Sequence, residues 1–278
     1  MAIPRMILDC VSLPGVRAVP IWFFDQRFRR WKKRNPQGSF GDFYVADAER
    51  KLRKGHHHST LGARGWANQG SSQIDWDSAS FAARGLVNWG QIISLGLQPD
   101  MRCVDFGCGS LRLGQHAIRY LAPSSYWGVD LTDSFFEAGL RLLPPELVAG
   151  KRPRLGVIGE ELLAEIRRWE PDFIFANAVL QHVPPDELPA FFGRIAAMMA
   201  PSTRAYVLFV SDSRVRRIKP VSWAYPPRFL EEQARSAVPD AAVRSIEVGE
   251  AYGRIAGENR KILCLEGLGS TSGIVNRI

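Results

Sequence analysis

The chain lacks an apolar run long enough to cross a bilayer. The best candidate, Met6 to Phe24, is broken by Asp9, Pro14, Arg17 and Pro20, short of the roughly 18 uninterrupted apolar residues that a spanning helix needs. It also lacks the basic start, clean apolar centre and small-residue cleavage site of a secretory leader. Cysteine is scarce, and Cys10, Cys103, Cys108 and Cys264 show no paired C-x-x-C spacing. That pattern sets aside a disulfide scaffold or a cysteine metal site and reads as thiols in a reducing, cytoplasmic compartment. Internal repeats are absent, and nothing is low in complexity beyond His56-His57-His58. Adjacent histidines in an extended segment point to opposite sides, so this tract reads as a solvated loop and no metal is expected.

Excess charge is missing from most of the chain. Residues 1–70 hold thirteen Lys/Arg against five Asp/Glu, whereas the other 208 hold 23 of each. The whole net charge of +8 therefore sits in an N-terminal arm, and a basic arm on a neutral body suits an acidic surface or ligand. In "IWFFDQRFRRWKKR", helical spacing places Ile21, Phe24, Phe28 and Trp31 on one face and cations over the rest. Such a helix fits docking on the body as a lid, or peripheral contact with an anionic membrane, on its inner face. Nucleic acid ranks third, because no recognised nucleic-acid module accompanies the arm.

From about Ser78 the sequence alternates short apolar runs with amphipathic stretches. "MRCVDF", "YWGVD", "RPRLGVIG", "DFIFAN" and "RAYVLFVSD" read as strands, each followed or preceded by a helical segment. "AAVRSIEV" and "RKILCLEGL" then follow one another with no helix between them. Alternation at this spacing predicts an α/β fold with a mostly parallel sheet and helices on both faces. The last pair must be antiparallel, since its connection is too short for a crossover. The division expected is an extension over 1–76, mainly helical and basic, and one domain over 77–278.

The stretch "CVDFGCGSLRLG" lies after the first strand, where open parallel sheets bind ligands. A dinucleotide fingerprint needs a third glycine where Arg112 stands, and a phosphate loop needs a lysine after Gly114. Both readings fail. The stretch resembles instead the first motif of class I S-adenosylmethionine-dependent methyltransferases: an apolar pair, an acid, then x-Gly-x-Gly. "YWGVDLTDSFFEAG" is similar to that family's second motif, and "DFIFANAVLQHVPPDELPAFFGRIAAMMAP" to its fourth-strand region. The resemblance covers about Asp77 to Leu268 and implies a Rossmann-like, seven-stranded sheet.

It also implies S-adenosylmethionine as cofactor. Gly107, Cys108, Gly109 and Ser110 would pass beneath its methionine part, and Asp105 would face its ammonium group. Asp130 would accept the ribose hydroxyls, Leu131 would lie against adenine, and Asn177 and Ala178 would line the pocket. His182 and Gln181 are the candidates for catalysis, the first as base or structural residue, the second orienting an acceptor. Trp223 and Tyr225 fall where acceptor contacts often lie, or else pack. Departures from the family pattern are Leu111 in place of a frequent third glycine and Pro201-Ser202-Thr203 in place of Pro-Gly-Gly; Glu160 is the candidate for the adenine amino group. The expected activity is methyl transfer to O or N of a small-molecule acceptor, sugar- or lipid-linked. The alternatives are a non-catalytic protein that keeps the fold for binding and a membrane-associated lipid methyltransferase. Adenine-amino modification lacks its [ND]-P-P-[YF] motif, for "NAVL" stands there.

Overall fold

The computed structural model describes residues 18–53, 79–141, 143–248, 254–255 and 258–267. His56-His57-His58 lie outside the described residues. Strands β1 (Cys103–Phe106), β2 (Tyr126–Asp130), β3 (Arg154–Val157), β4 (Phe173–Ala176) and β5 (Arg204–Val210) run parallel in the order β3-β2-β1-β4-β5. A hairpin follows, β6 (Arg216–Lys219) with β7 (Ser222–Ala224). Beyond it come β8 (Ala241–Glu247), the two-residue β9 (Arg254–Ile255) and β10 (Glu258–Gly267). β10 enters antiparallel between β5 and β8, which completes seven strands on the main path, with β9 beside β10. The predicted terminal antiparallel pair is thus present.

Nine α-helices are described: α1 (Ala18–Arg34), α2 (Phe40–Arg53), α3 (Ala79–Ser94), α4 (Gly114–Tyr120), α5 (Asp133–Leu140), α6 (Pro145–Lys151), α7 (Glu160–Trp169), α8 (Leu188–Met198) and α9 (Pro227–Ala237). Alternation along the strands splits the core into two layers, as the period of two requires. Val104, Phe106, Ile174 and Ala176 join the layer containing α8 and α9 residues. Cys103, Phe173 and Phe175 join the opposite one, with Ile92 and Ala117. The crossover of strand order lies between β1 and β4, so the carboxyl ends of β1, β2 and β4 frame one crevice.

The arm is continuous with the first layer. Phe24, Phe40 and Phe43 are buried in it, and Phe28 and Trp31 pack against it. Phe40 meets Trp223 edge-on at 5.1 Å, while the Arg217 guanidinium lies over the Trp223 ring at 5.1 Å and pairs with Asp25 at 2.7 Å. Burial decides which contact holds the arm. Each buried Phe contributes roughly 1.5–3 kcal/mol, against roughly 0–1 kcal/mol for a part-exposed ion pair. The apolar stripe predicted for α1 is therefore spent on the protein's own core, and the exposed aromatics of α1 are Trp22 and Phe23.

Sequence reading did not separate a second helix in the arm. Ser39 starts it: the Asp42 carboxylate accepts from Ser39 N at 2.7 Å, and Ser39 Oγ accepts from Asp42 N at 3.0 Å, a reciprocal cap. The carboxylate of Glu187, far along the chain, accepts from the next two backbone N–H groups, Phe40 and, at 3.3 Å, Gly41. An anion at the positive end of a helix is favourable, and here it fastens α2 to the domain.

Candidate active site

The crevice is built from three turns at strand ends and a roof. After β1 the chain reverses through Gly107 (φ +79°) and Gly109 (φ +54°). A side chain at Gly107 would run into Val179, so the turn after β4 packs directly on the turn after β1. Gly107 N and Cys108 N donate to the Val129 carbonyl at 2.7 and 3.1 Å. Leu111, which replaces the frequent third glycine, still adopts the left-handed conformation at φ +59°. Its side chain is fully buried, so the apolar core holds a backbone shape that glycine would take freely. The helix after this turn begins only at Gly114.

Asp130 closes β2 beside the glycine turn. One carboxylate oxygen accepts from Gly109 N and the other from Leu131 N, both at 2.7 Å. An ionised carboxylate has about four acceptor positions, so each oxygen keeps capacity for another donor. Burial is the main cause that raises Asp130 to a pKa of about 6, with the two N–H groups pulling the other way. A group carrying a vicinal diol would supply donors for the remaining capacity, and the residues present fit such a group.

Asp105 lies within β1. Its carboxyl is 2% exposed and accepts from the Tyr126 hydroxyl at 3.0 Å. Burial pushes its pKa to about 8, Tyr126 lowers it and Asp130 raises it again. At neutrality Asp105 is therefore largely protonated in the absence of a cation. Cys108 and Ser110 are buried in the turn, and burial raises the Cys108 thiol well above its ordinary value.

After β4, Asn177 is half-buried and Ala178 takes φ +60°. A non-glycine residue held left-handed is stored strain, which clusters at ligand sites. A short 3₁₀ turn (Leu180–His182) follows. His182 Nδ1 donates to the Val221 carbonyl at 2.5 Å, which fixes the proton on Nδ1. Its Nε2 accepts from Gln181 Nε2 at 3.2 Å, and the ring stacks on Tyr44 of α2 at 5.6 Å. This is the setting of an oriented imidazole. Tyr225 is fully buried with its hydroxyl donating to the Val183 carbonyl, and Trp223 packs on Phe40, so both take the packing role. Glu160 begins α7, exposed.

The arm supplies the roof. Gly41 sits against Leu131, where an added Cβ would lie 3.6 Å from Leu131 Cδ1. Further along α2, Tyr44 and Ala48 pack with Phe135. Thr132 caps α5 through Ser134 N and donates its hydroxyl to Glu49 Oε1 at 3.1 Å. Tyr44, Glu49, Thr132 and Glu187 were not singled out in the sequence. The readable signal was Ser39-x-x-Asp42 before an aromatic run; the partners of α2 lie too far away in sequence to be read.

Sheet order, glycine turn and strand-ending carboxylate define a Rossmann-like domain with its crevice at the switch point. A family model described as a methyltransferase domain matches residues 104–205. No curated protein matches the chain. Among solved structures, magnesium protoporphyrin IX methyltransferase (ChlM) from Synechocystis PCC 6803, with bound SAM, superposes with a TM-score of 0.50 at 15% identity, over 74% of this chain and 91% of that one. A 1,6-didemethyltoxoflavin-N1-methyltransferase from Burkholderia thailandensis gives 0.46 at 21% identity, over 69% and 79%. At 15% identity the likeness to the first concerns the fold alone. Residues 104–205 are thus matched as a methyltransferase domain, and the glycine turn and Asp130 within that stretch support a class I S-adenosylmethionine-dependent methyltransferase family.

Proposed function

We propose that this protein transfers a methyl group from S-adenosylmethionine to an oxygen or nitrogen of a small-molecule acceptor, beneath a lid formed by α2. The observation that carries the reading is Asp130, whose two oxygens are tied to Gly109 and Leu131 and still have room for the two ribose hydroxyls. Gly107, Cys108, Gly109 and Ser110 would run beneath the methionine part, and Leu131, Asn177 and Ala178 would border the nucleoside. The bound cofactor supplies an activated methyl. The protein's share is then alignment of the acceptor atom, carbon and sulfur. Asp105 beside that cation would lose its proton, since a nearby positive charge favours the carboxylate.

Gln181, His182 and Tyr44 form the wall proposed to face the acceptor. His182 would act by holding Gln181, and Tyr44 from the roof would close the wall, excluding water. The non-catalytic alternative rested on the loosened glycine motif, and it weakens because Leu111 keeps the turn conformation. The test is incubation with methyl-labelled S-adenosylmethionine and a fractionated metabolite extract. Label in a dialysable product is expected; label confined to protein, nucleic acid or lipid would sink the small-molecule acceptor.

A further inference from the structure

The arginines of the arm are not used by the roof contacts described above. Arg27, Arg30 and Arg34 lie at i, i+3 and i+7 on α1 and so share one face. Together with Arg50 of α2 they line a cleft of about 320 Å³, with Trp31 and Phe43 among its walls. One acid sits within it. The Asp47 side chain is 5% exposed and meets Arg27, Arg50 at 2.8 Å and Lys51 at 2.9 Å. Asp47 is thereby more than neutralised. Arg30 and Arg34 pair with no carboxylate among the described residues.

Four arginines and one acid line the cleft, an excess of three positive charges, and Lys51 adds a further cation on Asp47. The cost is visible in the cations themselves. Burial and then the neighbouring Arg27 and Arg50 lower the Lys51 pKa, and burial and Arg50 lower that of Arg27. Guanidinium forks match the oxygens of phosphate bidentately, and their planes accept aromatic neighbours. The cleft volume is at the lower end of small-ligand sites, about 300 Å³ upward.

We infer that the cleft between α1 and α2 binds the phosphate group of a phosphate ester whose apolar or planar portion rests on Trp31 and Phe43. Arg30 and Arg34 are the anion's free ligands, and Arg27 and Arg50 turn toward it from Asp47. Such an anion bridges the two helices of the arm from outside the methyl-transfer crevice, since Glu49, the neighbour of Arg50, reaches Thr132 on the domain side. The same chemistry could be presented by a soluble phosphate ester or by an anionic lipid headgroup, and exposed Trp22 and Phe23 stand on the same helix.

The test compares the full chain with an Arg30→Gln/Arg34→Gln variant, neither residue having an ion pair among the described residues. Both are titrated with sodium pyrophosphate by calorimetry. Both are also sedimented with phosphatidylcholine vesicles, with and without phosphatidic acid. The wild type is expected to take up pyrophosphate, or to sediment only with the acidic vesicles, and the variant to do so at least about tenfold more weakly. Pyrophosphate uptake without vesicle binding assigns a soluble ester, and the reverse assigns a headgroup. Binding of neither probe, or binding unchanged in the variant, overturns the inference. Circular dichroism confirms the fold, and Arg34→Gln alone serves if the double variant fails it. Neither readout involves methyl transfer, so the inference stands or falls apart from the proposed activity.

Discussion

Two carboxyl groups, Asp105 and Asp130, stand on neighbouring strands in surroundings that discourage charge. Their raised pKa values, about 8 and about 6, cost the protein stability. An unfolded Asp titrates near ~4. Between that value and the folded one, the native state holds a proton that the unfolded chain has lost. The contribution of Asp105 to stability therefore falls as pH rises from about 4 to about 8, and is level above. Asp105→Asn keeps an acceptor for Tyr126 and cannot titrate. Its Tm advantage over the wild type should widen across that window; a gap independent of pH would mean that Asp105 titrates as an ordinary carboxylate. Leu111 poses a different balance. Leu111→Gly relieves about 1–2 kcal/mol of left-handed strain but removes a fully buried side chain worth about 2–5 kcal/mol. Burial wins. Net destabilisation of about 1–3 kcal/mol in denaturant titration is expected, and a stabilised variant would show that Leu111 is strained more than it is packed.

Elements make the site by where they end. The apolar runs and the glycine turn were legible because period and composition report them directly, and Asp130 was legible as the residue that closes a strand. The conformation of Leu111 was not: a missing glycine reads as a loosened turn until φ is known. The hairpin of β6 and β7 was missed because "RRIKPVSWA" carries charge and a proline where strand signals are sought. The roof was missed for a third reason. Tyr44 meets His182, and Phe40 and Gly41 meet Glu187, across more than 130 residues, and no local pattern encodes such pairings. The link at Glu187 is open to test. Glu187→Ala leaves two N–H groups of the first turn of α2 to water. It should weaken docking by about 1–3 kcal/mol, since hydrogen bonds to a charged group are worth about that much. Faster backbone hydrogen exchange in α2, with the sheet unchanged, is the expected reading. Unaltered protection of α2 would show that Phe40 and Phe43 hold it without the carboxylate.

At the scale of the whole molecule, the charge asymmetry and the packing give the arm two faces. Its aromatic face is core, and its cationic face is open among the described residues. Deleting residues 1–35 therefore does more than remove charge: it strips Phe24 and Phe28 from the layer that contains Phe40, Phe43 and Trp223. Melting of the truncated chain should begin several degrees lower, as expected when about 2–4 kcal/mol of burial is lost. An unchanged Tm would mean that the arm is held only at its surface. The central claim is that the crevice at the ends of β1, β2 and β4 holds S-adenosylmethionine through Asp130 and the glycine turn. Calorimetric titration of the wild type and Asp130→Ala with S-adenosylmethionine tests it most directly. The wild type should bind at one site per chain, and the variant should be weaker by about 2–4 kcal/mol, the worth of two charge-assisted hydrogen bonds. Equal affinity in a folded variant, or no binding by the wild type, would contradict the account.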